Sequence, residues 1–154
     1  MNDVVIVTGG AIRIGREICL KLSEEGYKIA IHYRSSEGDA RDLQQEIESA
    51  GGNACTIQCD LNDSDSVKEL IKNASDSLGA VVGVVNNASL FVLDRIEDVS
   101  EETWVEHMKV NALAPLLLIQ SLLESPVEGS WVVNILDFKV ESPNADYLSY
   151  TGSR

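Results

Sequence analysis

A doubly wound α/β fold on a parallel sheet is predicted by three observations. Short β-branched runs alternate with helical stretches along the chain, the first run ends in glycines, and no repeat or linker interrupts the series. A chain of 154 residues holds one such domain, spanning residues 1–154, with one core and one site.

Each element has its own signal. Val4 to Val7 is a β-branched run, and Arg16 to Leu22 then places apolar residues at helical spacing until Gly26 stops it. Lys28 to Ile31 reads as a second buried strand, Asp39 to Ala50 as a polar helix closed by Gly51 and Gly52, and Ala54 to Gln58 as a third strand. Asp63 to Leu78 is a helix with Asn62 as its N-cap and Gly79 as its stop. Val81 to Val85 is almost wholly apolar, as a central parallel strand should be. A long helical stretch runs from Ser100 to Leu123, with Thr103 and Glu106 near its start and Pro115 at a break or bend. Ser130 to Leu136 is the fifth strand, and Tyr147 to Arg154 opens a further helix that nothing in the sequence stops.

Composition narrows the function classes. With 44% hydrophobic and 24% charged residues the chain is globular, neither disordered nor fibrous. A net charge of −13 argues against nucleic acid or an anionic membrane surface as partner, so an anionic ligand must be held by local groups. The N-terminus lacks the pattern of a signal peptide, and no apolar run reaches membrane-spanning length. Cys19, Cys55 and Cys59 cannot all pair, and Cys55 and Cys59 stand about 13 Å apart in an extended strand. A reduced, cytoplasmic setting is therefore expected. The histidines and cysteines show no metal-ligand spacing, and no metal site is expected; His107 and Trp104 read as packing or interface residues.

The chemistry begins after the first strand, in Thr8-Gly9-Gly10-Ala11-Ile12-Arg13-Ile14-Gly15. Glycines here let backbone approach a pyrophosphate, while the following helix N-terminus offers free N–H groups and partial positive charge. The second strand leads into His32-Tyr33-Arg34-Ser35-Ser36, with no carboxylate to accept from a ribose 2′-hydroxyl. A guanidinium and two hydroxyls suit a 2′-phosphate instead, so NADP(H) is expected over NAD.

Taken in order, Thr8, Gly9 and Gly15, Asp60-Leu61 after the third strand, and Asn86-Asn87-Ala88-Ser89 after the fourth resemble the short-chain dehydrogenase/reductase family and its Rossmann fold. Arg13 in place of the family's middle glycine, the His32 to Ser35 run and Ser89 are similar to the pteridine reductase branch, which has one more residue between Tyr33 and Arg34. The resemblance implies cofactor contacts from Thr8, Gly9, Arg13, Ile14 and Gly15 at the turn and from Tyr33, Arg34, Ser35 and Ser36 at the second strand. Asp60 would accept from the adenine amino group beside Leu61, and Asn87, Ala88 and Ser89 would line the cofactor further along.

Reduction by a nicotinamide also needs a proton donor. Tyr150 is the candidate acid, because a phenol titrates near ~10 and a cation one helical turn away stabilises its phenolate. That cation is Arg154, where the family carries lysine; arginine stays protonated and differs in shape. Asp137 stands where most of the family has serine and where pteridine reductases have aspartate, which suits protonation of a ring nitrogen. Asn111 matches the family's helix asparagine, part of a water-linked proton path, and Phe91 matches the aromatic that stacks a pterin. Arg13, Ser89, Phe91, Asp137 and Tyr150 would meet substrate, and Tyr147 reads as a structural or pocket residue.

These implications describe an NADPH-dependent reductase that passes hydride to a C=N of a pterin or dihydrofolate-like ring. Two alternatives remain: a ketone or 3-oxoacyl reductase of the same family, and an inactive cofactor-binding or assembly protein or fragment. Family members continue through further helices and strands, so the fold is expected to be C-terminally incomplete, with a homo-oligomer expected of the longer family form.

Overall fold

The computed structural model describes residues 3–124 and 126–154. Strands β1 (Val4–Val7), β2 (Lys28–Tyr33), β3 (Ala54–Gln58), β4 (Val81–Asn86) and β5 (Trp131–Asn134) form one sheet in the order β3-β2-β1-β4-β5. Every pairing is parallel. The chain steps outward from β1 to β3 and returns to the other side of β1 for β4. The loops leaving β1 and β4 therefore part at a switch point, where doubly wound sheets bind their ligands.

The alternation of side chains along β1 accounts for the two outer layers. Val4 and Ile6 face a core shared with Val67, Leu70 and Leu118, whereas Val5 and Val7 face one shared with Cys19, Leu43 and Ile47. Accordingly α3 (Ser64–Leu78) and α5 (Ala114–Glu124) cover one face, and α1 (Arg13–Glu24) and α2 (Glu37–Ser49) cover the other. Full burial of a Val or Ile side chain stabilises by roughly 1.5–3 kcal/mol. All four β1 residues are buried to that degree, so this strand anchors both layers.

Several boundaries differ from the sequence pattern for identifiable reasons. β2 runs on through His32 and Tyr33, which pair with Ile57 and Gln58 of β3 although they follow the apolar run. Asp63, not Asn62, caps α3; its carboxylate accepts from Asp65 N–H at 3.2 Å and from the Ser66 hydroxyl at 2.6 Å. β5 ends at Asn134, short of Leu136. α1 and α2 begin earlier than their apolar stripes, at the exposed residues Arg13 and Glu37.

The long helical stretch divides before its proline. Ser100 caps α4 (Glu101–His107) by accepting from Thr103 N–H at 3.0 Å, and a π-helical segment, Met108–Leu113, links it to α5. Pro115 has no N–H for the Asn111 carbonyl, and its ring crowds that oxygen. The backbone widens one turn earlier, where Ala114 N–H bonds the Lys109 carbonyl. A 3₁₀ turn at Phe138–Val140 and α6 (Leu148–Ser153) complete the described elements. The three cysteines are free, and no described helix is long and apolar enough to cross a membrane.

Candidate active site

The glycine turn is built from the inside. Thr8 is buried, and its hydroxyl accepts from Asn87 N–H and Ala88 N–H, both at 3.0 Å, while donating to the Val85 carbonyl. Asn87 Nδ2 donates to the Thr8 and Gly9 carbonyls at 2.9 and 3.2 Å. Thr8 and Asn87 thus tie β1 to β4 at the switch point. Gly9 takes φ +61°, in the left-handed region that glycine enters without a Cβ penalty. A Cβ on Gly15 would lie 2.2 Å from the Gly9 carbonyl oxygen, so glycine there lets α1 start against the turn.

Two adjoining clefts open over this scaffold. One, of about 310 Å³, is lined by Gly9, Ile12, Arg13, Ile14, Gly15 and Ser89 among others. The second, of about 190 Å³, is lined by Gly9, His32, Arg34, Asp60, Leu61 and Leu90 among others. Ala88 and Ser89 border both.

The charges beside these clefts fit a phosphate-rich dinucleotide. Arg16, Arg41 and Arg95 pair with Glu46, Glu37 and Asp146, and Arg154 donates to the Ile135 carbonyl. Arg13 and Arg34 have neither a side-chain hydrogen bond nor a carboxylate partner among the described residues, in a chain of net charge −13. Arg13 also sits at φ +53°, which costs an L-residue about 1–2 kcal/mol. A charge-assisted hydrogen bond, worth roughly 1.5–3 kcal/mol, would offset that strain. Ser36 occupies the N-cap of α2 without a side-chain cap bond, which leaves its hydroxyl for a ligand beside Arg34 and Ser35. The Tyr33 side chain is 8% exposed and lies in the apolar cluster with Ala40 and Leu43.

At the other end, α6 carries a buried Tyr150 with Asp137 and Arg154 beside it. Burial, the largest effect, pushes the phenol above its usual value; Arg154 pulls it down, and Asp137 pushes it up. The expected stabilising cation is present but outweighed, so Tyr150 stands as a protonated phenol at neutral pH. Arg154 Cζ lies 5.6 Å from the Tyr150 ring centroid. Asp137 also accepts from Lys139 N–H at 2.9 Å, which fixes the chain leaving β5. Phe91 is 49% exposed, stacks on Tyr147 at a centroid distance of 4.2 Å, and meets Tyr150 edge-on at 4.6 Å. Tyr147, at φ +60°, has Lys139 Nζ 4.9 Å over its ring and belongs to this aromatic cluster.

The segment carrying Phe91 is gripped on both sides. Asn111 Oδ1 accepts from Leu90 N–H at 2.8 Å, and its Nδ2 donates to the Leu90 carbonyl at 3.0 Å and to Ser153 Oγ at 2.9 Å. One turn earlier, fully buried His107 accepts from Val92 N–H at 3.3 Å and donates to the Thr103 carbonyl at 2.8 Å. His107 is the packing residue expected, and it also anchors the Phe91 segment.

Asp94 was not singled out by the sequence. It is 4% exposed, its carboxylate accepts from Ser149 N–H at 3.1 Å and its carbonyl from Leu148 N–H at 3.3 Å, which satisfies the start of α6. These contacts span more than fifty residues of sequence, so no local pattern reveals them. Asp94→Ala is expected to cost about 1–2 kcal/mol, a fall in Tm of a few degrees by calorimetry, with Asp94→Asn recovering most of it through its remaining carbonyl oxygen.

Comparison with known proteins places this arrangement. Residues 3–154 match the short chain dehydrogenase family. The chain is 34% identical over 122 residues to a 3-oxoacyl-[acyl-carrier-protein] reductase FabG of Staphylococcus epidermidis, covering 79% of this chain and 50% of that protein. It is 31% identical over 153 residues to an uncharacterized oxidoreductase of Methylorubrum extorquens, covering 99% of this chain and 62% of that one. The chain thus spans about half to two-thirds of the length of these relatives. The crystal structure of FolM alternative dihydrofolate reductase 1 from Brucella canis, complexed with NADP, superposes with a TM-score of 0.93 at 38% identity, covering 99% of this chain and 62% of that one. A blue fluorescent protein from a metagenomic library, in complex with NADPH, gives 0.93 at 32% identity, covering 98% and 62%. By sequence match and by fold, this chain belongs to the short chain dehydrogenase family.

Proposed function

We propose that this chain supplies the cofactor cleft and proton donor of an NADPH-dependent reductase acting on a C=N bond of a pterin or dihydrofolate-like ring. The observation that carries the cofactor is that Arg13 and Arg34, lining the clefts beside the glycine turn in an acidic chain, have no side-chain partner among the described residues. The pterin assignment rests on Asp137 beside Tyr150 and on Phe91 packed against both tyrosines. The solved relative from Brucella canis, bound to NADP and called a dihydrofolate reductase, supports both parts.

The residue roles in this reading are as follows. Arg34 with Ser35 and Ser36 would hold a 2′-phosphate, Arg13 and the amides at the start of α1 the pyrophosphate, and Asp60 the adenine amino group. When bound, the nicotinamide supplies hydride to the ring carbon. Reduction of C=N takes up a hydride and a proton, and Tyr150 donates that proton to the ring nitrogen. Asp137 keeps the phenol protonated and can return a proton through solvent. Phe91 offers a flat apolar face for the ring, and Asn111 supports α6 through Ser153. Arg154 holds the end of β5 to α6.

Replacing Arg34 by alanine is expected to weaken NADPH binding by about 10–100-fold, the equivalent of one charge-assisted contact, and to leave NADH binding nearly unchanged. Fluorescence titration of the two cofactors reads this directly.

A second reading, reduction of a 3-oxoacyl group, is favoured by the FabG relative. NADPH oxidation by the protein with dihydrobiopterin, and separately with an acetoacetyl thioester, distinguishes the two. Turnover of the pterin is expected, and turnover of the thioester alone would defeat the assignment.

A further inference from the structure

His32 makes hydrogen bonds that the cofactor assignment does not require. Its Nδ1 accepts from Gly9 N–H at 3.0 Å, its backbone carbonyl accepts from Gly10 N–H at 2.9 Å, and its Nε2–H donates to the Cys59 carbonyl at 3.0 Å. The residue is 2% exposed, so both ring nitrogens are satisfied by protein. An imidazole used as acceptor on one side and donor on the other links the ends of β1, β2 and β3 and forms part of the wall of the Arg34–Asp60 cleft.

We propose that His32 is a positioning residue for the dinucleotide cleft: it holds the Gly9 amide and the Cys59 carbonyl at a fixed separation and so sets the width between the glycine turn and the Asp60 corner. The inference rests on the NADP(H) reading above. The Gly9 and Gly10 amides are spent on His32, so they turn from the ligand, and the phosphates are left to the start of α1 and the two arginines.

The surroundings keep the imidazole in this role. Burial pulls His32 down to about 4, against weaker upward pulls from the Cys59 carbonyl and Asp60. The Cys59 thiol is itself pushed up to about 11 by burial and by Asp60 and Asp63, so it brings no charge.

Two variants separate positioning from bulk. His32→Asn keeps an oxygen near the Nδ1 position, and His32→Gln places its amide near Nε2 and abandons Gly9. Each variant keeps one bond of the clamp and loses the other, so both are expected to bind NADPH about tenfold more weakly than the parent, the loss appearing in the KM for NADPH rather than in kcat at saturating cofactor. Parent-like NADPH affinity in either variant would overturn the proposal. Should neither variant fold, nitrogen NMR of the parent protein decides. An unprotonated Nδ1 and protonated Nε2 from pH 8 to about 5.5 are expected, and titration of His32 within that range contradicts the assignment. If the parent protein itself fails to bind NADPH, the cofactor reading fails instead.

Discussion

Tyr150→Phe is expected to lower kcat for pterin reduction by roughly 10²–10⁴-fold, the usual worth of a positioned general acid, with NADPH affinity nearly unchanged. The substitution removes one oxygen from a side chain that is 4% exposed and leaves its ring against Phe91, so the packing survives. The sign of the pH dependence follows from the raised phenol. The proton donor is present at neutral pH and is lost only as pH climbs past the raised value, so kcat should hold through neutrality and fall on the alkaline side. Asp137→Asn removes a charge that pushes the phenol up, and the alkaline limb should move to lower pH. Stopped-flow measurement of NADPH oxidation across pH in both variants checks the two effects. An unchanged kcat in Tyr150→Phe would remove this residue from the proton path.

Gly15→Ala is the substitution expected to damage the cofactor cleft most. The added Cβ would stand 2.2 Å from the Gly9 carbonyl oxygen, 2.9 Å from its carbon and 2.7 Å from Asn87 Nδ2. Two of these are backbone atoms, so relief requires shifting α1 away from the turn or breaking the Asn87 bonds to Thr8 and Gly9. Overpacking of this kind costs about 1–3 kcal/mol or more, and the strained geometry falls on the N–H groups offered to phosphate. NADPH affinity should drop about 100-fold or more, and Tm should fall with it. Gly38 provides the control, because a Cβ there meets nothing within 4 Å and the residue lies in the first turn of α2. Gly38→Ala should be neutral or stabilise by about 0.5–1 kcal/mol. Calorimetry and titration of both variants make the comparison.

The sheet was legible because its signal is local. Val4–Val7 and Val81–Asn86 are apolar runs bounded by turn residues, and burial on both faces leaves such strands little other composition. Helix ends were less legible, since Asn62 and Asp63 are equally good caps by type and only the turn geometry selects Asp63. The π-helical segment escaped for a different reason: proline announces a break, but the pattern does not say which turn absorbs it, and the fold places it in the turn that carries Asn111. Motif residues such as Gly15 and Asp137 could be found by position, whereas Asp94, His107 and His32 act through contacts made by folding. Tyr33 follows the apolar run of β2, and only the fold shows its side chain packed in the apolar cluster with Ala40 and Leu43. Arg13 combines both cases, its position readable in sequence and its left-handed backbone visible only in the fold.

The most direct test of the account is a parallel titration of this protein with NADPH and NADH. Arg13 and Arg34 without partners among the described residues, and no carboxylate at the end of β2, require NADPH to bind more tightly, by about tenfold or more. Equal affinity for the two cofactors, or tighter binding of NADH, would contradict it.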